Sequence, residues 1–383
     1  MDLAAQAGLY VHVPFCLRKC PYCSFYSFPP QAGDIDRFLA GVREQMRQAA
    51  ALPEVRSLSF ATVFFGGGTP SVLPAEALDD LLAQARHLFS FAAEEPEITV
   101  EINPGTIRAA GLLQLRRAGC NRLSIGVQSL NDAELRLLGR IHTGAEALEV
   151  IAAARQAGFD NVSFDLMYGL PNQTVAAWKA TLEQVMDLAP GHLSMYELTI
   201  EEGSSFAQAV GRGEWHLPGE DEILAMMAAL EAAIARSDLV RYEISNYAAT
   251  GRECRHNANY WQNGFYLGLG PGAVSALNGE RRFAVADLDT FCRKVAAGLS
   301  VWRETERLDR EAAFRETVVM GLRMTGGVSL SGLRQQFDID LPQYYGPALA
   351  RLLDQRLLAL CGDRLLLTDK GLPLANRVMA ELV

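Results

Sequence analysis

Three cysteines lie within eight residues near the start of the chain: Cys16, Cys20 and Cys23, with the spacing Cys-x3-Cys-x2-Cys. The next cysteine is Cys120, so this loop supplies three thiols and no fourth. A structural zinc site needs four ligands, usually from two Cys-x2-Cys pairs, and a disulfide framework is typical of short secreted chains. A [4Fe-4S] cube takes one thiolate per iron, so three cysteines leave one iron open for chemistry. The spacing therefore predicts an iron–sulfur cluster on this loop.

The composition indicates a globular protein, with 49% hydrophobic and 21% charged residues over 383 positions, enough for two or three domains. The net charge of −10 argues against a nucleic-acid partner, which normally meets a basic surface. Residues 1–8 lack the basic and apolar segments of a signal peptide, and the most apolar helical stretch, 223–235, is too short to cross a bilayer. Seven cysteines, an odd number, fit a reducing compartment, so we expect a cytoplasmic protein.

Short apolar runs alternate with helix-like segments through the first half of the chain, a pattern typical of βα units around a parallel sheet. The six expected strands cover residues 9–13, 62–65, 98–102, 122–127, 162–167 and 192–198. Asp34 is expected to cap the helix after the cysteine loop, and Pro74 to open the next one. The pattern predicts an α/β fold with a partial (β/α)6 barrel, whose active site lies at the carboxyl ends of the strands.

The pattern loosens after the sixth strand. We expect residues 1–205 to form the barrel, 206–305 an extension and 306–383 a separate small helical domain. Within the extension, the sequence predicts a helix at 221–236 and a polar, aromatic-rich loop at 254–266.

The last domain has the pattern of a winged helix, with three helices followed by a hairpin. The expected helices are 310–323, 330–337 and 345–355, and the hairpin strands are 357–360 and 365–367. From Leu308 onward nine basic residues balance nine acidic ones, so we expect a packing or protein-contact module rather than a DNA-binding one.

Polar and glycine residues follow the predicted strands at the end where the site is expected. The glycine run is Gly66, Gly67 and Gly68, followed by Thr69, and such residues let a backbone approach a ligand closely. The other candidates are Glu101, Gln128, Arg140 and Asp165. Carboxylates suit hydroxyl or ammonium groups, and an arginine suits a carboxylate. Each has a simpler explanation: Glu101 could cap a helix, Asp165 could be a buried acceptor, and Arg140 could form a surface ion pair.

The cysteine loop and the glycine motif together closely resemble the radical S-adenosylmethionine family. The resemblance implies that the open iron chelates the amino and carboxylate groups of S-adenosylmethionine, and that an electron from the cluster releases a 5′-deoxyadenosyl radical. It also implies cofactor contacts from Tyr10, the glycine motif, Glu101, Gln128, Arg140 and Asp165, and an electron donor for the cluster. A tyrosine in a strand is more often a core residue, which is the alternative for Tyr10.

A second motif, His-Asn-x-x-Tyr-Trp, comprises His256, Asn257, Tyr260 and Trp261. A neutral imidazole is a good axial ligand for heme iron, and the two aromatic side chains offer flat faces to a porphyrin. From the residues alone, the favoured interpretation is that His256 anchors a loop and the aromatic side chains fill the core, and Cys254 is a competing ligand. The motif resembles that of a heme chaperone group, and this resemblance implies heme contact by its four residues.

The chain as a whole resembles the coproporphyrinogen-dehydrogenase-like branch of the family, and within it the heme chaperone group. The resemblance implies a protein that binds heme and delivers it to heme proteins, among them membrane-bound respiratory enzymes, and leaves a homodimer open. The alternative is an oxygen-independent coproporphyrinogen III dehydrogenase. Members of that group carry a long segment before the cluster and a further cysteine two positions after the third. Here fifteen residues precede Cys16, and Phe25 occupies the cysteine position, which favours the chaperone.

Overall fold

The computed structural model describes residues 5–92, 95–200 and 205–383, and is built around one large mixed sheet. Its six central strands are β1 (Ala5–Val13), β2 (Leu58–Gly67), β3 (Glu97–Ile102), β4 (Arg122–Gln128), β5 (Asn161–Tyr168) and β6 (His192–Glu197). Each of these strands pairs in parallel with the next. Side chains from all six line a single cavity, so the strands curve around a common interior.

Six further strands extend this sheet on both sides. They are β7 (Val240–Glu243), β8 (Asn246–Ala248), β9 (Phe265–Leu269), β10 (Val274–Leu277), β11 (Glu280–Ala284) and β12 (Trp302–Arg307). The order across the twelve strands is β12-β11-β10-β9-β1-β2-β3-β4-β5-β6-β8-β7. Strand β9 pairs in parallel with β1, whereas β8 pairs antiparallel with β6. The α/β class and the partial barrel are therefore confirmed, and the extension contributes strands to the same sheet.

Helices cover the outside of the barrel and connect its strands. The first nine are α1 (Asp34–Ala50), α2 (Pro53–Arg56), α3 (Ala75–Leu88), α4 (Ala109–Ala118), α5 (Asp132–Leu137), α6 (Gly144–Gln156), α7 (Val175–Asp187), α8 (Ser205–Gly211) and α9 (Glu220–Ile234). Helix α1 shows why they pack as they do. Its residues Phe38, Val42 and Met46 recur every four positions, so they share one face, and all three are buried in the main core.

A second hydrophobic core lies within the last 70 residues and includes Phe314, Leu352 and Val378. The remaining helices are α10 (Arg255–Trp261), α11 (Leu288–Ala296), α12 (Arg310–Gly321), α13 (Leu330–Phe337), α14 (Leu341–Asp354) and α15 (Ala375–Ala380). Strand β13 (Val328–Ser329) and the hairpin β14 (Leu358–Cys361) and β15 (Arg364–Leu367) form a small three-stranded sheet. We call the part of the chain from Arg310 onward the C-terminal module.

Three local expectations were wrong. Gly33, not Asp34, is the N-cap residue of α1, and its φ of 83° is one that favours glycine. Asp34 is the first helical residue, and its carboxylate accepts a hydrogen bond from the backbone amide of Gln31.

The expected loop at 254–266 contains α10 and the start of β9. Helix α14 begins at Leu341 rather than at 345, with a kink at Gly346. The expected boundary at 205 adjoins residues 201–204, which lie outside the described residues.

Candidate functional site

The cysteine loop follows β1 directly and is held at both of its ends. The backbone amide of Cys16 donates to the carbonyl of Phe28, and that of Cys23 donates to the carbonyl of Cys20. All three thiols are partly exposed. Burial raises the pKa of the Cys23 thiol, the Cys20 and Cys16 thiols act in the same direction, and a backbone hydrogen bond from Phe25 opposes the shift.

No three metal-binding side chains among the described residues come close enough together to hold one ion. A cube does not require such convergence, because each thiolate binds a different iron. The loop therefore offers three separated, accessible thiols rather than a ready-made single-ion site.

The glycine run passes so close to this loop that side chains would not fit. A Cβ at Gly68 would lie 2.7 Å from the carbonyl oxygen of Phe15 and 2.9 Å from that of Val13. The Gly68 amide donates to the Val13 carbonyl over 2.8 Å. The hydroxyl of Thr69 lies 3.4 Å from the Cys16 sulfur, so the glycine run and the cysteine loop form one surface.

Arg140 reaches the same surface from the loop after α5. Its Nη2 donates to the carbonyl of Gly126 and to the side chain of Asn103, and its Nη1 lies 3.8 Å from the Cys20 sulfur. Its buried Nε has no partner among the described residues. The backbone of Gln128 has a φ of 64°, and its amide nitrogen lies beside Gly126, next to the arginine. Both side chains thus lie at the cluster end of the barrel.

Glu101 and Asp165 face the barrel interior from β3 and β5. The Gly67 amide donates to Glu101 over 3.2 Å, and Ser124 and Ser163 donate to Asp165 over 2.9–3.1 Å. Burial, together with the charge of Asp165, raises the pKa of Glu101 to about 8, although the Gly67 hydrogen bond and the charge of Arg122 oppose the shift. Burial likewise raises the pKa of Asp165, although its serine hydrogen bonds oppose that shift. Glu101 is therefore largely protonated at neutral pH and can donate as well as accept.

The His-Asn-x-x-Tyr-Trp motif forms helix α10, which inserts into the barrel at the end where β3 and β4 begin. His256 is 1% exposed. Its Nδ1 lies 2.7 Å from the hydroxyl of Thr62, and its Nε2 lies 3.0 Å from the hydroxyl of Tyr260. The imidazole stacks on Phe64, with 5.0 Å between the ring centres, and more loosely on Tyr10. Burial lowers the pKa of His256 to about 3, so the imidazole is neutral at physiological pH.

The structure brings three of the four motif residues to the interior. His256, Asn257 and Tyr260 line a cavity of about 360 Å³ together with Tyr10, Glu101 and Asp165. Trp261 does not line it. The guanidinium of Arg323, in the C-terminal module, lies 4.2 Å above the Trp261 ring, and the indole nitrogen has no partner among the described residues.

The chain is similar to known protein families and to characterised proteins. Two family models match: the Radical SAM superfamily over residues 10–185 and the HemN C-terminal domain over residues 308–374. The heme chaperone HemW of Bacillus subtilis is 32% identical over 374 residues, which cover 98% of both chains. HemW of Lactococcus lactis is also 32% identical, over 98% of this chain and 96% of its own. This chain belongs to the HemW family.

The chain is also similar to a mitochondrial protein and to a solved structure. The mitochondrial radical S-adenosyl methionine domain-containing protein 1 of Mus musculus is 34% identical over 99% of this chain and 88% of its own. Among solved structures, the coproporphyrinogen III oxidase HemN of Escherichia coli matches with a TM-score of 0.85 and 24% identity, over 99% of this chain and 90% of that one. At that identity the likeness shows the fold alone.

Membership of the HemW family, and of the Radical SAM superfamily with it, implies a [4Fe-4S] cluster and S-adenosylmethionine. The residues present fit both groups. Three accessible thiols suit a cluster with one open iron, and the Thr69 hydroxyl after the glycine run lies beside the Cys16 sulfur. The unpartnered Nε of Arg140, beside Cys20, offers a donor for the cofactor carboxylate.

Three residues of this HemW-family site were missed from the sequence: Thr62, Glu97 and Arg122. Glu97 and Arg122 are the first residues of β3 and β4, and Thr62 lies in the middle of β2, whereas the sequence pattern drew attention only to strand ends. The sequence did contain a signal for them. Thr62, Glu97 and Arg122 lie two or four positions before Phe64, Glu101 and Ser124, and side chains at even spacings on a strand share a face.

Proposed function

We propose that this protein binds heme and passes it to heme proteins, with a [4Fe-4S] cluster at Cys16, Cys20 and Cys23 and S-adenosylmethionine at the same end of the barrel. The observation that carries the proposal is the full-length similarity to heme chaperones of the HemW family. It is supported by the position of His256 and Tyr260, which share a cavity wall with the cofactor candidates Tyr10 and Glu101.

His256 is the better heme ligand of the two candidates on α10. Its imidazole is neutral, which is the form that binds iron. The Cys254 thiol is fully buried, and burial raises its pKa to about 12, so it holds its proton and does not present the thiolate that iron requires. The Nε2 of His256 is occupied by the Tyr260 hydroxyl, so iron binding exchanges that hydrogen bond for a metal–nitrogen bond.

At the cluster end the chain's own residues bind and orient the cofactor. We propose that Arg140 and Gln128 meet the methionine end, that Glu101 and Asp165 meet the ribose and ammonium groups, and that Gly66, Gly67, Gly68 and Thr69 bring the backbone close. When bound, the cluster supplies single electrons to the cofactor. An electron donor and heme-accepting respiratory enzymes are the proposed partners.

The proposed place of action is the cytoplasm. In the described ranges no helix combines the length and the hydrophobicity needed to cross a bilayer.

Anaerobic heme titration tests the heme part of this proposal. The parent protein, reconstituted with iron and sulfide, is titrated with heme, and the complex is mixed with the apo form of a b-type cytochrome. A Soret band that shifts to the cytochrome spectrum is expected. His256→Ala should change or abolish the band, whereas His87→Ala, on the exposed surface of α3, should not.

Absence of any heme spectrum in the parent would defeat the proposal. Conversion of coproporphyrinogen III to protoporphyrinogen IX by the reduced, S-adenosylmethionine-loaded protein would replace it with the dehydrogenase alternative. The cluster is checked separately by iron and sulfide analysis: Cys16→Ser, Cys20→Ser and Cys23→Ser should each lose the cluster, whereas Cys361→Ser, on the exposed hairpin, should retain it.

A further inference from the structure

His192, the first residue of β6, is fully buried and has no part in the proposed function as stated above. It does not line the barrel cavity, whereas Asp165 on the neighbouring strand β5 does. The two residues are connected through Ser163, which lies opposite His192 in the pairing of β5 with β6. The Nδ1 of His192 lies 2.8 Å from the Ser163 hydroxyl, and its Nε2 lies 2.9 Å from the hydroxyl of Tyr242. Both ring nitrogens therefore have hydrogen-bond partners inside the protein.

The hydroxyl of Ser163 determines which nitrogen of His192 carries the proton. A serine hydroxyl offers one hydrogen and two lone pairs. Ser163 donates its hydrogen to Asp165 over 3.0 Å, because an ionised carboxylate only accepts. The hydroxyl of Ser194, 3.1 Å away, can donate to one lone pair of Ser163, which leaves the other for the Nδ1–H of His192. Nδ1 is therefore the protonated nitrogen.

The charge of Arg122 favours the protonation states that this arrangement requires. Burial raises the pKa of Asp165, whereas its hydrogen bonds from serines and the charge of Arg122 oppose the shift and favour the ionised carboxylate. Burial, together with the same positive charge, holds the pKa of His192 well below its ordinary value. The ring of His192 is therefore neutral, with one donor nitrogen and one acceptor nitrogen.

The chain of hydrogen bonds continues from His192 to helix α10. With Nδ1 protonated, Nε2 accepts the hydrogen of the Tyr242 hydroxyl. The Tyr242 oxygen accepts in turn from the backbone amide of Cys254, the N-cap residue of α10, over 3.2 Å. Every hydrogen bond from Cys254 to Asp165 thus points in one direction. In the other tautomer of His192, the single hydrogen of Ser163 would be needed on both sides, and one buried polar atom would lose its partner.

We propose that His192 is a positioning residue for Asp165. By donating to Ser163, its ring keeps the serine hydrogen directed at the carboxylate, which stays ionised and oriented as an acceptor in the cavity wall. The inference rests on the proposed function, in which Asp165 meets a hydroxyl or ammonium group of S-adenosylmethionine. His192 touches no ligand and acts through two hydrogen bonds.

The tautomer of His192 is a spectroscopic signature that a space-filling role does not require. Heteronuclear NMR of the full chain with isotope-labelled histidine distinguishes Nδ1–H from Nε2–H. The cluster-free form is used, so that iron does not broaden the signals, and the His192 signals are identified by their loss in His192→Asn. The neutral Nδ1–H form is expected. A neutral Nε2–H form or a charged ring would overturn the inference.

Binding of S-adenosylmethionine shows whether this hydrogen bond matters at the site. Dissociation constants are measured anaerobically on the cluster-loaded parent, His192→Asn, His192→Gln and the surface control His87→Gln. An asparagine amide can place a donor where Nδ1 lies, whereas the longer glutamine places it near Nε2, so the two variants differ in which hydrogen bond they keep. His192→Gln should weaken binding roughly three- to tenfold, the range for one lost hydrogen bond, and His192→Asn should recover most of the affinity. The control should bind as the parent does.

A double variant separates an effect through Ser163 from general damage to the barrel. Ser163→Ala alone should weaken binding by a factor similar to that of His192→Gln. If the histidine acts through the serine, the two substitutions together should weaken binding no further than Ser163→Ala alone, whereas independent damage multiplies the two losses. Circular dichroism checks that each variant is folded.

Unchanged affinity in His192→Gln, an equal loss in His192→Asn, or multiplied losses in the double variant would overturn the inference. If the histidine variants do not fold, Ser163→Ala decides, because it removes the same hydrogen bond, and unchanged binding then counts against the inference. Failure of the parent to bind heme defeats the proposed chaperone function, while the S-adenosylmethionine titration still decides the role of His192. A parent that binds heme but not S-adenosylmethionine overturns the positioning role.

Discussion

Gly8 shows how strongly the packing at one residue constrains this site. A Cβ at Gly8 would lie 2.9 Å from Cε1 of His256 and 3.2 Å from the hydroxyl of Thr62. The imidazole therefore packs directly against the β1 backbone, and its position depends on the missing side chain. Nothing in the sequence around Gly8 indicates this contact, because the two residues are separated by nearly 250 positions.

Gly8→Ala should push the imidazole out of position and lower the free energy of unfolding by about 1–3 kcal/mol, the usual cost of overpacking. Chemical denaturation followed by circular dichroism measures the change. Gly211→Ala is the matched control, because no atom lies within 4 Å of its added Cβ. A Gly8→Ala protein as stable as the parent would show that the interior accommodates the methyl group and that His256 is not fixed by packing.

The raised pKa of Glu101 predicts that the stability of the cofactor-free chain depends on pH. Its folded pKa of about 8 exceeds its ordinary value of 4.5, so between these values the folded state binds more protons than the unfolded state. Its contribution is therefore fully present below about pH 4.5 and is lost as the pH rises, by roughly 3 kcal/mol up to pH 7. Glu101→Gln should lack this decline. Parallel unfolding curves for both proteins from pH 5 to 8 would contradict the assignment.

Helix α10 is the element that sequence reasoning missed, for an identifiable reason. It has seven residues, too few for a periodic apolar face and too few to be stable alone. It exists because Glu97 on β3 accepts the amides of Arg255 and His256 at its N-terminus. By contrast, the strands and most barrel helices were predictable because each is long enough to show its hydrophobic period. The residues at strand ends were predictable from the barrel, but the residues that hold α10 come from a distant strand.

Glu97→Ala should therefore release α10. We expect a loss of about 1–2 kcal/mol in stability, comparable to removal of a helix cap, and faster hydrogen exchange for the amides of residues 255–261. Hydrogen-exchange mass spectrometry resolves this segment. Glu76→Ala, in the exposed first turn of α3, is the control and should leave the exchange of α10 unchanged. Unaltered exchange in Glu97→Ala would mean that other contacts suffice to hold the helix.

At the scale of the whole molecule, four histidines are buried in and around the barrel: His12, His142, His192 and His256. Burial lowers the pKa of each, to about 4 for His142 and about 3 for His256. The folded state thus binds fewer protons than the unfolded state below pH 6.5, and stability is lost as the pH falls.

The lowered pKa of His142 and that of His256 should each reduce the free energy of unfolding by about 2 kcal/mol at pH 5 relative to pH 7. Because Glu101 acts in the opposite direction over this interval, the effect of a histidine is measured as a difference: the free energy of unfolding of the parent should fall by about 2 kcal/mol more than that of His256→Gln. His87→Gln, on the exposed surface, is the matched control and should follow the parent curve. The same pH dependence in the parent and in His256→Gln would contradict this reading of the buried imidazole.

Arg323, which stacks on Trp261, joins the His-Asn-x-x-Tyr-Trp motif to the C-terminal module. The amide of Asn263 adds a hydrogen bond to Thr317 on α12, so the segment that carries His256 is fastened at one end to the barrel and at the other to the C-terminal module. Any rotation of α10 that frees the imidazole must also strain or break these two attachments. Under the proposed function, binding of heme at His256 would therefore alter the surface of that module, and a recipient protein in contact with the module could sense the change without touching the heme.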